Sequence, residues 1–395
     1  MSSKVKSWWQ PPALRISEEN KVERHATWLE LFYDLVFVAV IAKIAHDFNQ
    51  DVSPSGFFHF IVLFTSIWWL WVSSTLYSTR FDTDDPLHRF LTAMQMFGLA
   101  ILAANVHDGL GKNSAGFAFS YALVRTLNVI EYQRVLHHIS IARNLAIVFV
   151  RSFGIVGTIW FVSTFVPMPW RLFLWFLALV VDFATPLLIG QLGVQFAPNE
   201  SHLPERFGLF IIIVLGESII GVVNGFVQQQ QNILSIFSLA FGISIAFSLW
   251  WIYFDNLGGS AIESARACSR RVWAYQLWLY MHLPLSISFT AAGIGIEKII
   301  SRASDQVLPE PERLLICLAV AICFFALGII NFTGLIVSKQ QKLCKFRIGY
   351  RFGAATLIMI IAIFGASLSP VQLIGLIATV CVAQIILELR NTASS

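Results

Sequence analysis

Charge is scarce in this chain. Asp, Glu, Lys and Arg make up 13% of its 395 residues, against about 25% in ordinary soluble domains, while 56% are hydrophobic and the mean hydropathy is +0.69. That balance excludes a water-soluble globule, and it excludes intrinsic disorder, which needs low hydrophobicity and high net charge. Nucleic acid is not an expected partner, because the net charge of +4 is small and dispersed. Cysteine is scarce as well. Cys268, Cys317, Cys323, Cys344 and Cys381 are odd in number and form no CxxC, so neither a disulfide framework nor a zinc ribbon is expected. HExxH, GxSxG and GxxxxGK[ST] are missing, and Gly109-Leu110-Gly111-Lys112 lacks the first glycine of a phosphate loop. The expectation is therefore a protein without enzymatic activity, metal or cofactor. Residues 1–27, with Lys4, Lys6, Arg15, Lys21 and Arg24, lack the apolar core of roughly 7–15 residues that a cleavable signal peptide carries, and read as a polar N-terminal arm.

What the chain has is aromatic bulk, 13 Trp and 34 Phe, in apolar runs of membrane length. A helix needs about 20 apolar residues to cross a hydrocarbon layer of about 30 Å. Twelve stretches qualify: 28–48, 56–79, 88–108, 116–136, 145–166, 170–190, 207–228, 233–254, 272–293, 313–337, 350–367 and 370–389. Backbone polar groups have no water to bond in lipid, and the alternation of a barrel strand is absent, so these are expected to be helices. The fold class is an all-α polytopic membrane protein with about twelve transmembrane helices. Nineteen Lys and Arg fall near one set of span ends and five near the other, which predicts both termini in the cytoplasm. The basic stretch Lys339 to Arg351 is the strongest inside marker, and it puts the sequon Asn199-Glu200-Ser201 inside too.

A shift of 181 residues sets Phe60 on Phe241, Trp69 on Trp250, Arg89 on Arg270, Ala93 on Ala274 and Gln95 on Gln276, and a two-residue slip sets Asp34 on Glu217. Chance matching of aromatic-rich helices is the alternative. Taken as a repeat, it gives a cytoplasmic arm 1–27, a six-helix unit 28–190, a linker 191–206, a parallel six-helix unit 207–389 and a tail 390–395.

An ionised acid at the bilayer centre costs about 2.5 kcal/mol or more on insertion scales, so charges inside the spans need a reason. In Trp28-Leu29-Glu30-Leu31-Phe32-Tyr33-Asp34, the two acids lie four apart on one helical face. Capping of a helix N-terminus and function are both open for Glu30; Asp34 needs a partner or water. Glu217 lies roughly 15 Å into the seventh span, and Gly221, Asn224, Gly225 and Gln228 continue a small, polar stripe beyond it. That stripe is either a Gly-xxx-Gly packing seam with Glu217 as interhelical glue, or the wall of a solute or ion path with Ser218 and Asn224 beside it. Arg125 and Asp182 complete the set, with Arg125 the expected partner of Glu217 or Asp34. Three deep acids to one base favour cations or protons. Lys43 reads as an interfacial anchor within reach of Asp47, and Pro186 and Pro284 as local helix breaks. His282 reads as a hydrogen-bonded bundle residue. Trp68, Trp69, Trp71, Trp250, Trp251 and Tyr253 read as an interfacial belt, with Asp82 and Asp255 as solvated helix-end acids.

The segments His25-Ala26-Thr27-Trp28-Leu29-Glu30-Leu31-Phe32-Tyr33-Asp34-Leu35-Val36-Phe37 and Glu205-Arg206-Phe207-Gly208-Leu209-Phe210 through Gly216-Glu217-Ser218 resemble the bacterial low temperature requirement A (LtrA) family. The likeness in helix count and spacing extends over nearly the whole chain. The family takes its name from a growth phenotype, and the resemblance implies a membrane protein of the bacterial inner membrane without implying a substrate. A more distant likeness is to cation channels whose six-helix repeats open with Arg-xxx-Phe-Ser-Asp; here Phe32-Tyr33-Asp34 carries tyrosine for serine, and the second repeat has Gly216-Glu217 instead.

Two function classes follow. The first is a transporter or channel-like conduit for a cation, proton or small solute, with Glu30, Asp34, Arg125, Asp182, Glu217, Ser218 and Asn224 as its polar interior. The alternative is a nonenzymatic scaffold or lipid-interacting protein needed for growth under cold or other stress, in which the same charges specify packing. The expected partners are the lipid bilayer, a cation or proton, and a second copy of the chain.

Overall fold

The computed structural model describes residues 10–14, 26–82, 85–198, 201–229, 232–255, 272–302, 307–335 and 341–393. The arm residues Lys4, Lys6, Arg15, Lys21 and Arg24, the sequon residue Asn199, Cys268 and Lys339 lie outside the described residues. The helices are α1 (Trp28–Gln50), α2 (Pro54–Arg80), α3 (Pro86–Ala104), α4 (Ser114–His138), α5 (Arg143–Ser163), α6 (Trp170–Leu188), a short α7 (Gly190–Gln195), α8 (His202–Val227), α9 (Ile233–Phe254), α10 (Val272–Ile300), α11 (Glu310–Leu335), α12 (Gln341–Phe364) and α13 (Pro370–Ala393). A two-residue antiparallel pairing joins β1 (Ala13–Leu14) to β2 (Phe81–Asp82).

Apart from α7, these helices run from 19 to 29 residues. At a rise of 1.5 Å per residue the shortest is about 29 Å long, the depth of a hydrocarbon layer. Ten helices among the described residues are long and apolar enough to cross a membrane. The two long helices outside that set, α1 and α4, carry Glu30, Asp34 and Lys43, and Arg125, Glu131 and Arg134. Large apolar side chains such as Phe176 and Leu188 of α6 and Ile363 and Phe364 of α12 face outward, which is stable against lipid and not against water. The protein is an all-α polytopic membrane protein.

Local chemistry fixes several helix starts. Thr27 and Glu30 cap α1 reciprocally, with the Thr27 amide donating to Glu30 Oε2 at 2.7 Å and the Glu30 amide to Thr27 Oγ1 at 3.2 Å. Asp85 accepts the His88 amide at 3.1 Å ahead of Pro86 at the start of α3. Asn232 and Ser235 form the same kind of box on α9.

The chain packs as two compact units, Met1–Ile44 with Val62–Arg206, and Ala45–Ile61 with Phe207–Ser395. Unit 1 has an aromatic interior in which Tyr132 stacks on Phe149 at 4.5 Å, Tyr121 stacks on Trp160 at 3.9 Å and Trp69 stacks on Phe183 at 4.1 Å. Unit 2 holds a seam of small residues between α8 and α10. A Cβ on Gly221 would lie 2.6 Å from the Gly293 carbonyl oxygen, and one on Gly225 would lie 2.9 Å from that of Glu297, so these helices approach through glycine backbone.

Several expectations are corrected by the fold. Trp68, Trp69 and Trp71 are buried in unit 1 and do not anchor an interface, because the indole of Trp71 is used as a hydrogen-bond donor inside the bundle. α12 starts at Gln341, before the expected 350, so Arg351 is not a loop residue. It is buried in unit 2, where it donates to Gln384 Oε1 at 3.0 Å and pairs with Glu388. Pro186 and Pro284 sit inside continuous helices, as is common where neighbouring groups satisfy the freed carbonyl. In the turn between α3 and α4, Asp108 adopts a left-handed φ of 55° and its carboxylate accepts the Lys112 amide at 2.9 Å. The amide that a phosphate loop would offer to an anion is thus taken by a side chain.

Candidate functional site

Unit 1 encloses three connected sets of polar side chains. The first joins α1, α2 and the first turns of α8. Because Glu30 and Asp34 share a face of α1, one guanidinium reaches both: Arg206 Nη1 lies 3.2 Å from Glu30 Oε1 and Nη2 donates to Asp34 Oδ1 at 2.7 Å. Trp71 Nε1 donates to the same Asp34 oxygen at 2.9 Å, and His202 Nε2 lies 3.4 Å from Glu30 Oε2. Asp34 and Arg206 are each 1% exposed, so their desolvation is offset by this mutual contact together with those to Trp71 and Glu30.

The second set is a hydrogen-bonded chain. The Tyr33 hydroxyl and Ser74 Oγ share a hydrogen bond at 2.9 Å, Ser74 donates to Gln95 Oε1 at 3.4 Å, and Gln95 Nε2 donates to Glu131 Oε2 at 2.9 Å. The Asn128 amide also donates to Ser74, at 3.3 Å, so the hydroxyl hydrogen of Ser74 is free to point to Gln95. Glu131 accepts at the end of this hydrogen-bonded chain. The His88 ring stands 3.5 Å from the other carboxylate oxygen of Glu131. Below it, Arg134 donates to Asp85 Oδ2 at 2.8 Å.

The third set is deeper. Arg125 Nη2 pairs with Asp182 Oδ2 at 2.7 Å and donates to Tyr121 Oη at 3.0 Å; Nη1 donates to Ser73 Oγ at 3.0 Å. The guanidinium carbon lies 4.4 Å from the Phe153 ring centroid, a cation–π contact, and both charged side chains are fully buried. The partner of Arg125 is therefore Asp182, not Glu217 or Asp34; the acid on α1 takes Arg206 instead.

The first two sets line a cavity of about 520 Å³ whose walls include Glu30, Tyr33, Ser74, His88, Gln95, Glu131 and Arg206. Trp28 and Phe32 stand at its rim with their rings exposed. The cavity holds groups of both signs, in a size range typical of small-molecule sites.

In unit 2, the residues expected to form one wall with Glu217 differ in burial along α8. Glu217 is half-buried, with Glu297 of α10 as its charged neighbour, and Glu297 accepts the Asn49 amide at 3.0 Å. Ser218 is buried and donates to the Phe289 carbonyl at 3.3 Å, while Asn224 is exposed. Gly221 and Gly225 lie in the packing seam. His282 is a hydrogen-bonded bundle residue, with Nδ1 2.7 Å from the Trp278 carbonyl oxygen and Nε2 3.3 Å from the Tyr253 hydroxyl.

Sequence reasoning missed Arg206, Trp71, Gln95, His88 and Glu131. Arg206 was assigned to a linker because it precedes the apolar run, yet α8 begins at His202 and carries it into the bundle. Its signal was available as a guanidinium one turn into a helix, in a chain with two unmatched acids on α1.

Fold and site define a multi-pass helical membrane protein with an ion-paired polar interior in its first unit. The profile of the family described as bacterial low temperature requirement A protein (LtrA) matches residues 25–387, and the chain belongs to that family. It is also similar, at 26% identity over 294 residues, to an uncharacterized protein of Rhizobium meliloti (strain 1021), covering 70% of this chain and 71% of that one. The two segments that resemble the family in sequence supply the opposite sides of one ion cluster, Glu30 and Asp34 from the first and Arg206 from the second.

Proposed function

We propose that this protein is a nonenzymatic carrier of the bacterial inner membrane, with both termini cytoplasmic, that moves a small cationic or polar solute, or protons, by way of the polar interior of unit 1. The observation that carries the reading is the 520 Å³ cavity whose lining includes Glu131, at the end of a hydrogen-bond chain, and the ion-paired Glu30 and Arg206. Closed ion pairs favour a carrier over a channel. A conducting pore needs charges that stay hydrated, whereas Arg125 and Asp182 are sealed against each other and against Phe153. Four arginines counted toward the cytoplasmic bias, Arg80, Arg134, Arg206 and Arg351, are buried partners rather than loop charges; without them the bias keeps its direction.

Flux into liposomes containing the purified protein tests the proposal. A carrier gives saturable uptake at a low turnover, a channel gives ohmic currents, and a scaffold gives neither. The scaffold reading has its own support, because each of these deep acids in unit 1 has a structural partner. Absence of flux for protons, inorganic cations and small polar solutes alike would favour it.

A further inference from the structure

We infer that the unit 1 cavity receives an organic ammonium group, a small amine with an apolar body, held between Glu131 and the aromatic side chains of the wall; this rests on the carrier reading above. Among the described residues, Glu131 has no lysine or arginine within 4 Å. Arg206 is shared by Glu30 at 3.2 Å and Asp34 at 2.7 Å, and the charged neighbour of Glu131 within 4 Å is the His88 ring at 3.5 Å. Arg89, the remaining guanidinium in the wall, stands on the exposed face of the first turn of α3. The Glu131 carboxylate lines the cavity with its two oxygens facing the Gln95 amide and the His88 ring, and an ammonium group would give it a full cationic partner. An anion fits poorly, since both terminal nitrogens of Arg206 already face carboxylates.

An inorganic cation fits poorly too. Hard ions need a close shell of six or more oxygens, whereas this cavity is many times the volume of an ion and its wall carries Phe32, Tyr33, Tyr77 and Phe81. Aromatic rings attract weakly hydrated ammonium groups by cation–π contact and accept the attached hydrocarbon by burial. The exposed Trp28 and Phe32 at the rim extend that apolar surface to the mouth.

The test is isothermal titration calorimetry on the detergent-purified full chain with benzylamine and benzyltrimethylammonium, set against benzyl alcohol, benzoate and potassium chloride. Saturable binding of the two amines and none of the three controls is expected. Glu131→Gln should weaken amine binding by at least about 30-fold, the loss typical of deleting one partner of a buried charge contact. Phe32→Leu, at an exposed rim position that does not hold the fold, should weaken it by about two- to fivefold. Should Glu131→Gln fail to give monodisperse protein, Phe32→Leu and the wild-type ligand series decide. Benzyl alcohol or benzoate binding as tightly as the amines, no amine binding, or unchanged amine affinity in the variants would overturn the inference. Amines that bind but are not moved in proteoliposomes would end the carrier reading and leave the ligand class standing. Saturable flux of another solute without amine binding would do the reverse.

Discussion

Replacing Arg206 with methionine keeps the apolar stem of the side chain and strands Glu30 and Asp34 together on one face of α1. The gross attraction being removed is large. At an effective dielectric constant of about 20, the contacts at 2.7 and 3.2 Å are each worth about 5–6 kcal/mol. Most of that is spent on desolvating three ions, so the measurable loss is the cost of leaving buried charges unpaired, about 3–5 kcal/mol. Protonation of Asp34 would limit it to the lower end. The assay is reversible unfolding in mixed micelles followed by tryptophan fluorescence, with size-exclusion profiles recorded alongside. Arg206→Met should lose most of its folded fraction where Arg143→Met, at an exposed site at the start of α5, behaves as wild type. Adding Asp34→Asn to Arg206→Met should recover at least about 1 kcal/mol, because the two residues are directly coupled. Equal stability of Arg206→Met and Arg143→Met, or strictly additive losses in the double variant, would refute the ion cluster.

Arg125→Leu and Asp182→Leu should each be destabilised by about 3–5 kcal/mol in the same assay, while the double variant recovers much of the loss; rescue of Arg125→Leu by neutralising Glu217 would contradict the pairing with Asp182. Trp71→Phe removes the indole donor to Asp34 with little change in packing, and should cost about 1.5–3 kcal/mol as a hydrogen bond to a charged group, read by the same unfolding curves. Gly221→Leu places atoms where the Gly293 carbonyl stands, so α8 and α10 must separate; a loss of about 1–3 kcal/mol or more is expected, and wild-type stability would show that the seam is loose.

The membrane fold was legible because lipid imposes a length of apolar residues that no other environment demands. The twelve spans correspond to the twelve long helices, with the largest departures at the end of α10 and at the starts of α12 and α8, where basic residues precede the apolar run. The departures at α8 and α12 hid Arg206 and Arg351, since hydropathy reads a buried guanidinium and a solvated one alike. Glu30, Asp34, Arg125 and Asp182 stood out as charges in apolar runs, but partner choice depends on which helices are neighbours, and periodicity says nothing of that. Glu131 lies in the last two turns of α4, where polar residues are ordinary, and Gln95 in the middle of α3 is uncharged, so composition alone marks neither as part of a site. Trp71 was misread for a related reason: an indole satisfies an interface and a buried carboxylate equally well, and only the position of Asp34 tells them apart.

The most direct test of the carrier site is solute uptake by proteoliposomes containing wild type, Glu131→Gln and Asp34→Asn, each first shown to be monodisperse. Both substitutions keep shape and hydrogen-bonding capacity while removing one charge. The cavity reading predicts saturable uptake by wild type, its loss in Glu131→Gln, and a strong reduction in Asp34→Asn, where Arg206 loses one of its two acids. Folded Glu131→Gln protein that transports as well as wild type would contradict it.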